Sequence, residues 1–329
     1  MMINTTRHSC GKSWFRWMML TPSLLVPVVA APFISSPARA DIPTLGEIKV
    51  KTDAQRQAIR SIRLTERETI DVEPRDDAEA EARDHMVAAQ TESGLPSGHL
   101  DVDGSLTVMR LNNHLDLTVV REIDRRVSKA RLGMTDARNT AELAQTHQLS
   151  PRAASGLDQS RIVILDGEKE VRIPNGRSVA AVMKSPEKRL AQELSMDRLG
   201  LLPEWVFDER YSVNISQVTD STFRLTGRHE SQLAFEAIVD RALDYRVQSI
   251  RVYSEGQFVQ VDRSYSDYRR AHDMWIPWSF EERIQREASA NAKLTSRQLE
   301  AFEVNIEFQP DIFLIPEGFR VQHVDITPQ

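Results

Sequence analysis

Apolar residues recur at every second position through most of the second half of the chain. Val213 with Ile215, Phe223 with Leu225, then Leu233, Phe235, Ala237 and Val239, and further on Val247, Ile250 and Val252 follow this spacing or nearly so. A period of two puts such residues on one face of an extended strand. Glu255-Gly256 is turn material leading into Phe258 and Val261, Trp278-Phe280-Glu282-Ile284 marks another strand, and Phe302, Val304, Ile306 and Phe308 alternate strictly. Successive strands joined by short polar turns predict an antiparallel meander.

The first half is more mixed. Leu45, Ile48, Ala58 and Ile59 among charged residues predict a short amphipathic helix over 45–59, and Ile62, Leu64, Ile70 and Val72 predict a strand ended by Pro74. Leu106 and Val108, then Leu115, Leu117 and Val119, alternate across Asn112-Asn113 as a hairpin would. The stretch 128–150, rich in Ala, Arg, Gln and Thr, lacks a strand pattern and reads as helical or irregular. Ile162 to Leu165, Asp166-Gly167, then Val171 and Ile173 predict a hairpin. Ser185-Pro186-Glu187 has the order of an N-cap, a first-turn proline and an early acid, so a helix is expected through Leu190, Leu194 and Leu199 to Gly200. Between these elements, the acidic, alanine-rich Asp76 to Arg83 and the turn-rich Ser93 to Gly98 make 76–105 an inserted helix with a mobile loop.

The N-terminus changes the picture of where the chain works. Arg7, Lys12 and Arg16, an apolar run from Trp17 to Ile34, and Ala38-Arg39-Ala40 are the three parts of a cleavable signal peptide in order. Pro22, Pro27 and Pro32 interrupt the run and weigh against a retained anchor. Residues 1–40 are therefore expected to be removed, leaving 41–329 as a single domain in the periplasm or cell envelope, with no later segment apolar enough to span a bilayer. Cys10 lies before the apolar run, so it is not placed for acylation, and as the only cysteine it leaves the mature chain without disulfides or thiolate metal sites. Of 42 basic residues four lie in the leader, which leaves 38 against 48 acidic ones, a formal charge of −10. Such a surface repels nucleic acid.

Catalytic motifs are absent: there is no G-x-S-x-G elbow, H-E-x-x-H helix or phosphate-cradling glycine loop. His99, Asp101 and Asp103 alternate and offer metal-ligand atoms, but without the further oxygen ligands and closing glutamate of a calcium loop they read as a solvated turn. Asp267-Tyr268, Arg269-Arg270 and Met274-Trp275-Ile276-Pro277-Trp278 suit either a ligand-facing loop or a core-plugging turn, and buried indoles favour the second. No cofactor is called for.

Three stretches carry a family resemblance over residues 205–325. They are Ile238-Val239-Asp240-Arg241-Ala242-Leu243-Asp244-Tyr245-Arg246-Val247, Tyr265-Ser266-Asp267-Tyr268 through Asp273-Met274-Trp275-Ile276-Pro277, and Ile312-Phe313-Leu314-Ile315-Pro316-Glu317-Gly318-Phe319-Arg320-Val321. Here the chain resembles the LolA-like superfamily of outer-membrane lipoprotein-sorting proteins, in particular divergent exported relatives of the planctomycete type. The resemblance implies an α+β fold, an open antiparallel half-barrel whose concave face is covered by helices, with acyl chains or hydrophobic peptides bound between. It implies a lipid- or lipoprotein-binding carrier without catalysis, whose partners are a lipid acyl chain or a lipidated protein. The expected cavity lining is Phe235, Phe258, Trp275, Trp278 and Phe280. An envelope sensor or scaffold that binds a protein partner is the alternative, and an exported hydrolase with clustered carboxylates is a third.

Overall fold

The computed structural model describes residues 41–73, 84–86, 88, 102–184, 187–254, 258–287 and 290–324. The leader, most of the 76–105 insertion, the Ser185-Pro186 cap and the Glu255-Gly256 turn lie outside these. The described strands are β1 (Ser61–Val72), β2 (His114–Asp124), β3 (Lys129–Asp136), β4 (Arg161–Asp166), β5 (Lys169–Pro174), β6 (Val179–Lys184), β7 (Ser212–Gln217), β8 (Thr222–His229), β9 (Gln232–Asp240), β10 (Arg246–Tyr253), β11 (Val259–Ala271), β12 (Met274–Ile284), β13 (Lys293–Val304) and β14 (Arg320–His323). Helices are α1 (Leu45–Ala58), α2 (Val102–Leu111), α3 (Thr140–Thr146), α4 (Pro151–Ala154) and α5 (Glu187–Leu194).

All fourteen strands form one open sheet in the order β14-β6-β5-β4-β3-β2-β1-β13-β12-β11-β10-β9-β8-β7. The first strand lies in the middle of it. β1 pairs antiparallel with β2 on one side and with β13 on the other, so two meanders, β2 to β6 and β7 to β13, are joined along it. Every other pairing is antiparallel except that of β14 with β6. A consequence follows for the chain between β6 and β7, which has to pass from near one edge of the sheet to the opposite edge. Residues 187–211 make that passage through α5 and two 3-10 turns, Asp197–Leu199 and Glu204–Phe207.

Burial follows the strand period. Ile62, Leu64, Ile123, Ala130, Leu132, Val163, Leu165, Ile276 and Leu299 pack into one apolar cluster with Leu190, Met196, Leu199 and Leu201 of the crossover. A second cluster gathers Phe223, Leu225, Phe235, Val239, Val247, Ile250, Tyr265 and Phe280 with Leu202 and Val206 of the crossover and Ile48 of α1. A third, smaller one joins Ile164, Val171, Ile173 and Ala180 to Phe313, with Phe308, Ile312, Ile315 and Phe319 packed against it. Successive residues Val163, Ile164 and Leu165 thus divide between the first and third clusters, as alternation along a strand buried on both faces requires.

α1 forms where the pattern predicts, with a reason the pattern did not reveal. Thr44 accepts a hydrogen bond from the Glu47 amide while the Glu47 carboxylate accepts from the Thr44 amide at 2.6 Å, a reciprocal capping box. Its buried side is Ile48, Thr52 and Arg56, one residue per turn.

Three local expectations are corrected. Leu106 and Val108 lie in α2, not in a hairpin strand; two apolar positions are too few to set a period, Leu106 and Met109 have the helical spacing of three, and Asn112-Asn113 is the turn between α2 and β2. Residues 129–136 form β3, where Ala130 and Leu132 are buried between β2 and β4 while charged Lys129 and Arg131 alternate with them; small and charged residues masked the period. The strict alternation from Phe302 to Phe308 does not continue as strand past Val304, because Asn305 turns to φ 57° and its side-chain amide donates to the Ala58 carbonyl.

One close approach fixes the second cluster. Gly227 lies opposite Phe235 in the β8–β9 ladder, and a Cβ at 227 would stand 1.9 Å from the Phe235 ring. That ring is fully buried and packs edge-on against Trp205 and Tyr211, with centroids 5.3 and 5.5 Å away. Gly227→Ala is expected to cost about 1–3 kcal/mol in urea unfolding, as overpacking does. In the Gly227→Ala/Phe235→Leu double variant the loss should fall short of the sum of the two single losses, because one removes the other's clash.

Candidate functional site

The register of the ladders lines up one row of side chains across the centre of the sheet. Glu68 of β1 lies opposite Arg297 of β13, Arg297 opposite Phe280 of β12, and Phe280 opposite Tyr265 of β11. In the next row Glu282 of β12 lies opposite Arg263 of β11 and binds its guanidinium. Over these rows passes the turn after α5. A partly open cavity of about 150 Å³ lies there, with Gln192, Ser195, Asp197 and Arg198 contributed by the crossover and Arg263, Tyr265, Phe280, Glu282 and Arg297 by the sheet.

Beside the cavity the charges form a buried network. Arg121 of β2 donates to Glu66 at 2.7 Å, to Glu68 at 2.9 Å and to Glu193 of α5 at 3.3 Å. All four side chains are less than a tenth exposed. Arg198 reaches Glu193 at 3.4 Å, and Arg297 lies over the Phe280 ring with its guanidinium carbon 4.5 Å from the centroid. The network ties α5 to the sheet from one side; on the other, Arg189 donates to Glu170, a fully buried carboxylate of β5. A buried carboxylate without such partners would not remain ionised.

Titration follows from these contacts. Burial opposes charge on Glu68, but the neighbouring Arg297 and Arg121 outweigh it and hold the carboxyl down at about 2. Glu193 is lowered in the same way, against burial, by Arg198 and Arg121. Asp197 goes the other way: burial raises it to about 6, with Arg263 at 3.7 Å only partly offsetting the effect. The carboxylates that cluster do so around guanidinium groups, which is the arrangement of an ion network and not of a proton-sharing pair. Among the described residues no group of three or more His, Cys, Asp and Glu side chains is placed to hold a metal, and Asp103 of the His99 motif belongs to α2.

The five aromatic residues expected to line a cavity are distributed differently. Phe280 lines the partly open cavity, and Trp278, half-buried against the first cluster, lines with it a smaller adjoining gap next to Arg198 and Arg297. Arg269 lies over the Trp278 ring at 5.0 Å. Phe235 is packed solid in the second cluster. Trp275, across the ladder from Arg270, and Phe258, just before β11, are half-buried outside the three clusters. The arginines and glutamates of the network were not singled out from the sequence. A signal was present: Glu66 and Glu68 occupy the strand positions that follow Ile62 and Leu64 on the buried face.

A larger groove, of about 460 Å³, opens over β2 to β5, where Gly133 leaves space between Val120 and Ile162 and Phe319 closes one side. Arg131 at its border is already bound to Glu122 at 2.7 Å.

The solved structures similar to this chain include a LolA superfamily protein of Nitrosomonas europaea, at 9% identity over 84% of this chain and 99% of that one, with a TM-score of 0.41. A DUF1329 family protein of Desulfovibrio piger is similar at 8% identity over 83% of this chain and 98% of that one, with a TM-score of 0.42. No protein-family model matches the sequence, and no curated protein does.

Opposite pH responses are expected from the two kinds of carboxylate. Glu68, depressed in the fold, contributes stability that is complete above its ordinary value of 4.5 and is lost as pH falls towards 2. Asp197, raised in the fold, favours the native state fully below 3.8, and that contribution is lost as pH rises through about 6. Asp197→Asn should therefore gain roughly 3 kcal/mol over the wild type at pH 8 and nothing at pH 3, read from urea unfolding at both pH values. Arg121→Met, which removes the shared hydrogen-bond donor of three buried carboxylates, should cost about 3–5 kcal/mol at pH 7.

Proposed function

We propose that the protein is an exported, non-catalytic binding protein of the periplasm or cell envelope that carries a lipid acyl chain or a lipidated polypeptide. In this reading residues 1–40 are a cleaved signal peptide, 41–329 form a single domain with an insertion near 76–105, and the sheet is a half-barrel whose concave face α1 and the crossover cover. The observation that carries it is the partly open cavity between the sheet and the 187–207 crossover, a chain segment that runs over the sheet face without joining a ladder. A ligand can enter there by displacing one segment while all strand pairing stays intact. Of the proposed lining, Phe280 and Trp278 stand at this opening, while Phe235, Trp275 and Phe258 lie away from it. Apolar burial would supply about 25 cal/mol per Å² before the entropy of binding is subtracted. No helix among the described residues is long and apolar enough to cross a membrane.

The outer edge of β7 favours a second reading, that of a sensor or scaffold. This strand ends the sheet, pairs only with β8, and alternates exposed and half-buried residues, so a partner's extended segment can add to it.

Native mass spectrometry of protein purified from its own envelope without detergent separates the two. A lipid-sized adduct released on denaturation is the expected result. A clean apo mass, together with failure of acyl probes to bind, would remove the carrier reading.

A further inference from the structure

Three polar atoms around the cavity are buried without a hydrogen-bond partner: Nη1 of Arg198, Nε of Arg297 and Oδ1 of Asp197. Arg297 is nine-tenths buried, and its Nε stands 3.4 Å from Glu68 without forming a hydrogen bond. Buried donors and acceptors left unpaired are costly, so a site that leaves both kinds open is complementary to a guest that carries both. The charges narrow the choice. Arg121, Arg198, Arg297 and Lys293 stand among Glu66, Glu68 and Glu193, while Arg263 lies between Glu282 and Asp197, so the site carries no net charge. An anionic guest would bring an uncompensated charge into a neutral site, and a simple cation would do the same while leaving the guanidinium N–H groups unfilled. A group with an ammonium next to a phosphate diester adds no net charge and supplies a partner for each open atom.

We propose that this cavity holds the zwitterionic head of an ethanolamine-type phospholipid, with its ammonium at Asp197 and its phosphate oxygens at Arg198 and Arg297. The inference rests on the lipid-binding reading and names the class of lipid. The head enters beneath the turn 195–198, and the face of Phe280 bounds the apolar side of the site.

The test is titration calorimetry of the purified protein with three probes: dihexanoyl-phosphatidylethanolamine, dihexanoyl-phosphatidylglycerol and free O-phosphoethanolamine. The expected result is a preference of at least about tenfold for the ethanolamine lipid over the glycerol lipid. Asp197→Asn should abolish that preference with the fold intact by circular dichroism, since neutralising this residue relieves a buried charge. Arg198→Gln, at a partly exposed position, should weaken both the ethanolamine lipid and free phosphoethanolamine. Equal binding of the two lipids, or a preference that survives Asp197→Asn, overturns the head-group site while leaving a carrier of unselective lipids standing. Binding of free phosphoethanolamine that depends on Asp197, with no lipid bound, keeps the site and removes the carrier. No binding of any probe overturns the inference outright.

Discussion

A chain that crosses the face of a sheet has no neighbouring strand to satisfy its peptide groups, and this constraint shapes the centre of the molecule. Backbone carbonyls buried against an apolar surface must find donors from side chains or from stray amides. Here they find them in a short series. The Leu199 carbonyl receives Arg246, the Gly200 carbonyl receives the Val247 amide at 2.9 Å, and the Leu202 carbonyl receives Arg56 of α1. Gly200 itself adopts φ 69° and passes so close to the Tyr268 hydroxyl that a Cβ would stand 2.5 Å from it. Arg246 is fully buried, and no carboxylate lies within ion-pair distance of it among the described residues; burial lowers it to about 10, which leaves it charged at neutral pH. Its work is to hold the crossover. Arg125 extends the same device by donating to the carbonyls of Arg56 and Ile59 at the end of α1.

The position of β1 is the second half of the arrangement. A strand from the start of the domain, flanked by β2 and β13, forces two meanders to grow outward, and the link between them then has to return across the sheet. Once that return is required, the side chains beneath it have to accommodate a passing backbone. Apolar residues do so at both ends of the passage, through Leu190, Met196, Leu199 and Leu201 on one side and Leu202 and Val206 on the other. Charged residues do so in the middle. The same logic acts on a smaller scale after β13, where Asn305 breaks the strand and Phe308, Ile312 and Phe313 carry the chain over β4 and β5 to the parallel edge strand β14.

Much of this was legible in the sequence as strands and little of it as a site. The runs Phe223 to Leu225 and Leu233 to Val239 carry a period of two and became β8 and β9, and the apolar run Ile162 to Leu165, the Asp166-Gly167 turn and Val171 with Ile173 became the β4–β5 hairpin. β3 was hidden because its buried residues include an alanine and its next outward neighbour is a glycine, so the contrast on which periodicity depends was too weak. α2 was misread because two apolar residues two apart are too short a run to define a period. The ionic network was invisible for a different reason. Its members come from β1, β2, α5, the turn after it and β13, and only the pairing of β1 with β13 brings Glu68 to Arg297. Pairing across such distances is a property of topology, which residue spacing does not encode.

Why the middle of the crossover rests on charges is best judged against the apolar alternative. Replacing a buried ion network by packed hydrocarbon side chains is often neutral or stabilising, so stability alone does not account for Arg121 and its three glutamates. What the network does is keep two apolar clusters from merging. Had Glu66, Glu68 and Arg297 been leucines, the clusters on either side would be continuous and the crossover would seal against them, as packed cores do. Guanidinium and carboxylate groups cannot be packed that way, since each must keep its hydrogen-bonding directions open. They leave a gap next to Phe280 and Tyr265, and the side chains that line it carry unpaired buried atoms. The cavity is thus a product of polar side chains placed on the buried face of β1 and β13, and it lies under a crossover that no ladder holds in place.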